Sequence, residues 1–417
     1  MRDQWHQFPR RQLVARQLER LNRLLERVLP QNRFYREKLA SCPLRLDGLD
    51  QLTLWPTTTK EELLPDQDDP LHLARNHSWP PDRYVRFHQT SGSRGRPLRI
   101  LDTAEDWQWW IDAWQWVLDA AEVGPRDRAL LAFSFGPFVG FWSAFDALVH
   151  RGVLAIPGGG LSTEARLRLL QESEATLVFC TPTYALRMAE VARQTGFPLA
   201  QLPVRGLIVA GEPGGSVPEV RQRIEQAWQA RVYDHAGATE LGPWGIPHPR
   251  GLLVNEAWFV AEFFDLKTHR PVEPQGQLCQ LVLTGLGRAG CPLLRYETGD
   301  LVRPRPWPQR GFVLLEGGVL GRTDDMVTIR GVNVYPSAVE AVVRSFPELG
   351  EFRIELWRRG ELDQMKLLVE DPRQQPQRIA RELQLRLGLA VEVESLRPGE
   401  LERFELKAQR LIDRRRG

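Results

Sequence analysis

The residues best suited to phosphate chemistry lie in one glycine-rich stretch, residues 90–97 (TSGSRGRP). Glycines let backbone N–H groups approach an anion, serine hydroxyls donate hydrogen bonds, and guanidinium groups add positive charge. The stretch lacks the G-x-x-x-x-G-K-[ST] spacing and runs into a strand-like segment, 98–101, which disfavours a Walker site. It fits either a phosphate loop, with ATP the obvious ligand, or an ordinary basic surface loop. The candidate contacts are Thr90, Ser91, Gly92, Ser93, Gly95 and Arg96.

Two further segments carry groups that suit a nucleotide. In residues 234–240 (DHAGATE), Gly237 allows close backbone approach, Thr239 offers a hydroxyl, and Glu240 offers a carboxylate for magnesium. The Thr-Glu pair also fits an ordinary helix start. Asp300 lies on a Gly-Asp turn between β-type residues, where it either accepts ribose hydroxyl protons or serves as a hairpin residue.

Composition excludes several classes of protein. The 417 residues are 42% hydrophobic and 26% charged, which predicts a globular protein with two or more domains. A net charge of only +2 argues against nucleic-acid binding. Four scattered cysteines, no apolar signal core at the start and no sufficiently long apolar run predict a cytoplasmic protein that does not cross a membrane. His235, His248 and Cys279 match no closed metal site.

The order of predicted elements indicates the fold. Residues 17–39 show helical apolar spacing, and residues 54–63 predict an extended segment leading to a threonine-capped helix. A tryptophan stripe on a helix at 106–121 is typical of core packing, with a membrane or partner surface as the alternative. From residue 127 to 233 strands and helices alternate, which predicts a doubly wound α/β domain with a largely parallel sheet.

In such a sheet, ligands bind beyond the carboxyl ends of the strands, which directs attention to the loops at 135–137, 211–214 and 234–240. Further on, residues 321–336 join a basic turn to an alternating strand, and the chain to its end reads as a compact α+β unit. We therefore predict an α/β protein. Residues 1–322 form a large domain with mixed, largely parallel sheets flanked by helices, and residues 323–417 form a small, mobile α+β domain.

Taken together, the motifs resemble those of the acyl-adenylate-forming (AMP-binding) superfamily, and most closely the phenylacetate-CoA ligase family. The likeness rests on four ordered segments: residues 90–97, 236–240, 296–300 and 321–333. Shorter segments at 33–36, 58–63 and 180–186 are also similar to family sequences, and the resemblance covers nearly the whole chain.

This resemblance implies a two-step reaction. A carboxylate attacks the α-phosphate of MgATP to give an acyl-adenylate and pyrophosphate, and the thiol of coenzyme A then displaces AMP. Because two anions must meet, catalysis would rest on charge neutralisation and positioning. Lys407 would bridge the substrate carboxylate and the α-phosphate, Thr239 would touch that phosphate, and Glu240 would ligate magnesium.

The remaining roles follow from the same likeness. The serines and glycines of the 90–97 loop would cradle the β- and γ-phosphates, and Asp300 would bind the ribose hydroxyls with Arg322 close by. Asp324 would be the hinge for rotation of the small domain, and Gly331 would then face the thiol tunnel. The adenine pocket would be lined by Gly211, Glu212 and Pro213, with Ala236 and Gly237 beside it. The acyl pocket would be lined by Phe135, Gly136, Phe138, Gly140 and Ala210, an apolar slot for an aryl or short acyl group.

Three departures from the family pattern keep a second function open. Arg94 and Arg96 replace a small hydroxyl residue and a lysine in the loop, Ala236 replaces an aromatic residue beside adenine, and Glu405-Leu406 stand where a glycine is common. The alternative is a degenerate or carrier-directed protein that binds an adenylate without making a CoA ester. Homodimers are usual in families of this kind.

Overall fold

The computed structural model describes residues 6–67, 74–90, 97–325, 327–329, 332–359, 362–404 and 410–415. The α-helices in these residues are α1 (Arg10–Val28), α2 (Arg33–Lys38), α3 (Lys60–Leu63), α4 (Ala104–Ala120), α5 (Trp142–His150), α6 (Thr163–Glu172), α7 (Pro182–Thr195), α8 (Pro218–Trp228), α9 (Pro336–Arg344) and α10 (Pro376–Leu387). The strands are β1 (Tyr84–Gln89), β2 (Arg99–Thr103), β3 (Arg128–Leu131), β4 (Leu154–Pro157), β5 (Leu177–Cys180), β6 (Gly206–Val209), β7 (Arg231–Asp234), β8 (Ala236–Ala238), β9 (Gly242–His248), β10 (Gly251–Val254), β11 (Phe259–Asp265), β12 (Cys279–Gly285), β13 (Tyr296–Val302), β14 (Leu314–Glu316), β15 (Gly321–Arg322), β16 (Val327–Ile329), β17 (Val332–Val334), β18 (Phe352–Arg359), β19 (Leu362–Glu370), β20 (Glu392–Leu396) and β21 (Leu411–Asp413).

The predicted alternation of strands and helices forms a five-stranded parallel sheet in the order β4-β3-β5-β6-β7. Its central strands β5 and β6 are buried along their whole length, because α-helices cover both faces of a parallel sheet. The predicted α/β fold class is confirmed. Since the strands are parallel, their carboxyl ends and the loops that follow them share one edge of the sheet.

The other sheets before residue 323 are antiparallel. They are the hairpin β1-β2 and two four-stranded sheets, β14-β10-β9-β8 and β11-β12-β13-β15. Helix α4 packs between these sheets and the parallel one, and its five tryptophans are all buried. A capping box between Thr103 and Asp106 starts the helix. The tryptophan stripe is therefore core, and the membrane-surface alternative is wrong.

The helix predicted over residues 17–39 is two helices, α1 and α2. Pro30 has no N–H to continue the hydrogen-bond ladder, and α1 ends at Val28 with Leu29 as its C-cap. The Asn32 side chain then accepts a hydrogen bond from the N–H of Tyr35 and starts the second helix. The threonine cap predicted ahead of α3 is confirmed as a capping box between Thr59 and Glu62.

After residue 323 the chain builds its own sheet, β20-β19-β18-β21, covered by α9 and α10 around a separate apolar core. The segment predicted as one alternating strand is instead the two-stranded hairpin β16-β17. Its two short antiparallel runs flank residues 330–331. Among the described residues, no helix is long and apolar enough to span a bilayer.

Candidate active site

The base of the predicted phosphate loop lies at the end of the β1-β2 hairpin. Thr90 closes it twice: its N–H donates to the Leu98 carbonyl at 3.0 Å, and its Oγ1 accepts from the Leu98 N–H at 2.9 Å. Gln89 N–H donates to the Pro137 carbonyl at 2.7 Å, which ties the hairpin to the loop after β3. Ser91, Gly92, Ser93, Gly95 and Arg96 lie outside the described residues.

Thr239 and Glu240 form the connection between the antiparallel strands β8 and β9, so the helix-start alternative is wrong. The Leu241 N–H closes this turn on the Ala238 carbonyl at 3.1 Å. The hydroxyl of Tyr296, the first residue of β13, donates to Glu240 Oε1 at 3.0 Å. Burial and the neighbouring Glu240 raise the pKa of Tyr296 well above its ordinary value, so the phenol remains a donor.

Arg288 joins the hairpin to this turn, and our sequence analysis did not identify it. Its Nε donates to Asp102 Oδ1 on β2 at 2.6 Å, and its Nη1 donates to the carbonyls of Thr239 and Glu240 at 3.2 and 2.5 Å. Burial alone would raise the pKa of Asp102, but Arg288 outweighs it and holds that pKa below its usual value. The only sequence signal was a lone charge in an apolar, glycine-rich stretch, residues 284–291.

The segment that carries Arg288 is itself anchored to α4. Asp106 accepts hydrogen bonds from the N–H groups of Ala289 and Gly290 at 2.8 and 3.2 Å. On the other side of Asp102, His88 of β1 stacks on Trp107 with ring centroids 5.4 Å apart. A continuous set of contacts thus links the base of the phosphate loop to the backbone of the Thr239-Glu240 turn.

Asp300 lies within strand β13, not on a free turn or hairpin. The strand bulges at Gly299, which has φ +75°, and the Asp300 N–H donates to the Thr298 hydroxyl at 2.9 Å. Asp300 lies four positions after Tyr296, the tyrosine that holds Glu240. Along a strand this is roughly 13 Å, comparable to the length of a nucleotide.

Arg322 connects the predicted ribose site to the predicted hinge. Its Nη1 donates to Asp300 Oδ1 at 3.0 Å, and its Nε donates to Asp324 Oδ1 at 2.9 Å. Burial lowers the pKa of Arg322, but Asp300 and Asp324 more than offset this and raise it. The predicted proximity of Arg322 to Asp300 is therefore present in the structure.

An aromatic cluster follows β3, where the acyl pocket is predicted. Phe135 makes edge contacts with Phe133 and Trp142, with ring centroids 6.0 and 4.7 Å apart, and Phe138 lies 5.3 Å from Phe133. Phe133 and Trp142 were not named from the sequence. Ala210 and Ala236 pack against the same core cluster as Phe135.

The close packing of this loop predicts the effect of one substitution. Gly140 has φ +37°, and a Cβ there would overlap the ring of Phe133. We expect Gly140→Ala to lower the free energy of unfolding by about 1–3 kcal/mol and to raise KM for the acid more than KM for ATP. The control is Gly124→Ala, where a Cβ meets nothing within 4 Å. Equal changes in both KM values would contradict the prediction.

The loop after β6 is the one predicted to line the adenine pocket. Gly211 has φ +94° and is exposed, whereas the Glu212 carboxylate accepts from the Thr183 N–H at 2.7 Å at the start of α7. Burial raises the pKa of Glu212. Its side chain is thus bound to a helix start, and only the backbone around Gly211 and Pro213 faces outward.

His235 precedes the Ala236-Gly237 pair and is buried as a neutral ring. Its Nδ1–H donates to the Gly245 carbonyl at 2.7 Å, and its ring lies 4.2 Å from Trp114. Burial lowers the pKa of His235 to about 4. Gly237 beside it is exposed, but a Cβ there would lie 3.0 Å from the Gly242 carbonyl oxygen.

This histidine predicts how stability depends on pH. Its folded pKa lies below the unfolded value of 6.5, so the unfolded state gains protons first and stability falls as pH drops from about 6.5 to about 4. Each pKa unit is about 1.4 kcal/mol, so the loss approaches about 3 kcal/mol. Urea unfolding at several pH values should show a shallower decline for His235→Gln. The control His150→Gln, at an exposed position, should leave the slope unchanged.

Two predicted residues, Gly331 and Lys407, lie outside the described residues. Asp324 is exposed between β15 and β16. Within the described ranges no group of three or more His, Cys, Asp or Glu side chains is arranged to hold a metal ion by itself.

Comparisons with known proteins agree with this architecture. Residues 27–258 match the family model for the AMP-binding enzyme, and residues 331–415 match that for the AMP-binding enzyme C-terminal domain. The phenylacetate-coenzyme A ligase of Pseudomonas putida is 30% identical over 97% of this chain and 94% of its own length. That of Thermus thermophilus is 30% identical over 98% of both chains.

A solved relative is similar in three dimensions. The crystal structure of 2-hydroxyisobutyryl-CoA ligase in the postadenylation state, in complex with R3-HIB-AMP, has a TM-score of 0.91 and 27% identity, covering 99% of this chain and 91% of that one. The same ligase in the thioesterification state, with 2-HIB-AMP and CoA, has a TM-score of 0.73 over 99% of this chain and 92% of that one.

This chain belongs to the AMP-binding enzyme family. Within that family it is an AMP-forming acyl-CoA ligase of the phenylacetate-CoA ligase type. It uses ATP to convert a carboxylic acid to an acyl-adenylate and then forms the thioester with coenzyme A.

Proposed function

We propose that this ligase activates an aryl or arylacetic acid at the carboxyl-end edge of the parallel sheet. The observation that carries the proposal is the set of contacts joining three distant segments. Arg288 links β2, at the base of the phosphate hairpin, to the Thr239-Glu240 turn, and Tyr296 links that turn to β13 and Asp300.

The Thr239-Glu240 turn would act on the α-phosphate and the magnesium ion. The Tyr296 hydroxyl donates a hydrogen bond to Oε1 of Glu240. The carboxylate is partly exposed, and its oxygens are ligands of the kind that magnesium prefers. Magnesium, when bound, would neutralise part of the negative charge on the phosphate oxygens. Thr239 would donate its hydroxyl to the α-phosphate, while Arg288 fixes the turn through its carbonyls.

The β1-β2 hairpin would hold the outer phosphates. Ser91, Gly92, Ser93 and Gly95 would present hydroxyls and backbone N–H groups, and Arg96 would add charge in place of the family's lysine. Lys407 would approach from the C-terminal unit and place its ammonium between the attacking carboxylate and the α-phosphate. Asp300 would accept hydrogen bonds from the ribose hydroxyls. Arg322 would give up part of its contact with Asp300 and bind the sugar instead.

The adenine and acyl parts of the ligand would lie in adjoining pockets. The backbone of Gly211 and Pro213, together with Ala236 and Gly237, would border adenine. Ala236 leaves more room there than an aromatic residue. The acyl group would enter the slot of Phe135, Gly136, Phe138, Gly140 and Ala210, where aromatic edges favour a flat ring.

We also propose the domain boundary at 322/323 with Asp324 as the hinge. The different TM-scores against two states of one relative, 0.91 and 0.73, support a fold whose two parts change their relative orientation. Rotation about Asp324 would withdraw Lys407 and bring Gly331 to the thiol tunnel. The Arg322–Asp324 ion pair lies at this point of the chain.

The setting we propose is a cytoplasmic homodimer that binds neither nucleic acid nor a membrane. All four cysteines are free, which fits a reducing compartment. Sedimentation analysis of the purified protein would test the dimer.

The decisive experiment is pyrophosphate release from ATP with a panel of carboxylic acids, with and without coenzyme A. We expect release with aryl or arylacetic acids, and thioester formation only when coenzyme A is added. Release only with aliphatic acids would contradict the acyl-slot assignment. Release without thioester would favour the carrier-directed alternative, and no release with any acid would favour a degenerate, adenylate-binding protein.

A further inference from the structure

A cavity lies between α7 and α8 on one side and the C-terminal unit on the other. Its volume is about 640 Å³. The C-terminal unit contributes the end of α9, the turn before β18 and the segment around Arg403. Glu240, Asp300 and the aromatic slot do not line it, but Thr183, whose N–H binds Glu212 of the predicted adenine loop, does.

Arginine dominates the described lining of this cleft. Four glutamates also line it, so the lining carries a formal excess of two positive charges. One of the four, Glu348, is bound by Arg373 and Arg378, which do not line the cleft. The lining arginines are Arg187, Arg193, Arg223, Arg344, Arg403 and Arg410.

Three of the arginines have carboxylate partners within the cleft. Arg187 and Arg403 bind Glu190 at 2.8 and 3.1 Å, and Arg410 binds Glu351 at 2.5 Å. Arg403 also binds Glu370 at 2.6 Å, so three carboxylates neutralise these three arginines. They leave little charge with which to attract a ligand.

Arg193, Arg223 and Arg344 are poorly compensated. Arg223 donates Nη2 to the Leu349 carbonyl at 3.2 Å, and its buried Nη1 has no hydrogen-bond partner among the described residues. Arg193 has no ion pair within the described part of the chain. Arg344 shares Glu340 with Arg410, at 3.4 and 3.1 Å, and its Nη1 donates to the Gly350 carbonyl at 2.9 Å.

The pKa of Arg223 is consistent with its position among other positive charges. Burial, Arg344 and Arg193 together lower its pKa to about 10, because a further positive charge is unfavourable there. Burial and Arg410 likewise lower the pKa of Arg344. An anion would relieve this repulsion and satisfy the buried N–H group.

We propose that this cleft binds a small phosphate-bearing anion, held by the guanidinium groups of Arg193, Arg223 and Arg344. Guanidinium groups bind phosphate oxygens in pairs, and the cavity has room for inorganic phosphate, pyrophosphate or a mononucleotide. Arg193 and Arg223 lie on α7 and α8, whereas Arg344 ends α9. A bound anion therefore bridges the two units and favours the arrangement seen here.

Calorimetric titration with inorganic phosphate and with pyrophosphate tests the proposal. The nucleotide site is first filled with 5′-O-sulfamoyladenosine, an AMP analogue that carries no phosphate group, and ionic strength is held constant with potassium chloride. We expect wild type to bind either anion and Arg193→Gln/Arg223→Gln to bind at least tenfold more weakly. Arg223→Lys should fall between them. The control Arg381→Gln, an exposed residue of α10 that does not line the cleft, should bind as wild type does.

Absence of binding to wild type, or equal affinity in all variants, would overturn the proposal. A second equivalent of AMP that is lost in Arg193→Gln/Arg223→Gln would support it and identify a nucleotide phosphate as the source. Binding is measured without turnover, so failure of the assigned acyl chemistry would not affect the result. The double variant should also keep the wild-type rate of pyrophosphate release in phosphate-free buffer.

Discussion

Lys407→Ala is expected to lower the rate of acyl-adenylate formation by about 10²–10³-fold, the usual loss when one group that stabilises developing charge is removed. Thioester formation from acyl-adenylate that is supplied ready-made should stay within about threefold of wild type, because the role we propose for the ammonium is confined to the attack of the carboxylate on the phosphate. Single-turnover assays of each half-reaction measure the two rates separately.

Two further variants make this result specific. Lys407→Arg keeps the charge with a different shape and should recover part of the first half-reaction. Lys267→Ala removes an exposed lysine of the large unit and should change neither rate. An equal fall in both half-reactions for Lys407→Ala would exclude a role confined to adenylation.

The second large effect is expected at Arg288. Arg288→Met leaves Asp102 buried without its ion-pair partner, and both side chains are at most 3% exposed. Breaking such a pair from one side typically costs about 3–5 kcal/mol in the free energy of unfolding. Urea denaturation of the purified variant measures this loss.

The double variant Asp102→Asn/Arg288→Met separates stability from function. It removes the uncompensated charge and should recover most of the lost stability. Adenylation should stay slow, because the Thr239 and Glu240 carbonyls still lack their donor. The control Arg305→Met removes a partly exposed pair with Glu316 and should cost less than about 1 kcal/mol. A loss that small for Arg288→Met would contradict the prediction.

Local signals in the sequence were sufficient for much of the fold. The alternation after residue 127 gave the parallel sheet, and the Thr59 cap gave the start of α3, because both depend on neighbouring residues. The spacing over residues 17–39 predicts one helix, whereas Pro30 separates α1 from α2, and α1 already begins at Arg10. The Thr239-Glu240 pair fits a helix start locally, but pairing of β8 with β9 makes it a hairpin turn.

The connections within the site could not be predicted in this way. Arg288 meets Asp102 across 186 positions of the chain, and Tyr296 meets Glu240 across 56. Such contacts depend on how separate sheets pack against each other. The periodicity of apolar residues in the sequence does not indicate that packing. Phe133 was missed for a simpler reason, since its neighbours Phe135 and Phe138 looked equally apolar and only the packing distinguishes them.

Ion pairs between residues far apart in the sequence join the small C-terminal unit to the large one. Arg403 binds Glu190 at 3.1 Å across the cleft, and Arg386 of α10 binds Glu219 of α8 at 3.3 Å; both pairs are partly open to solvent. Mobile counterions weaken exposed pairs of this kind. High salt should therefore weaken the contact between the two units. Under the proposed rotation, it should shorten the interval between acyl-adenylate formation and thioester formation.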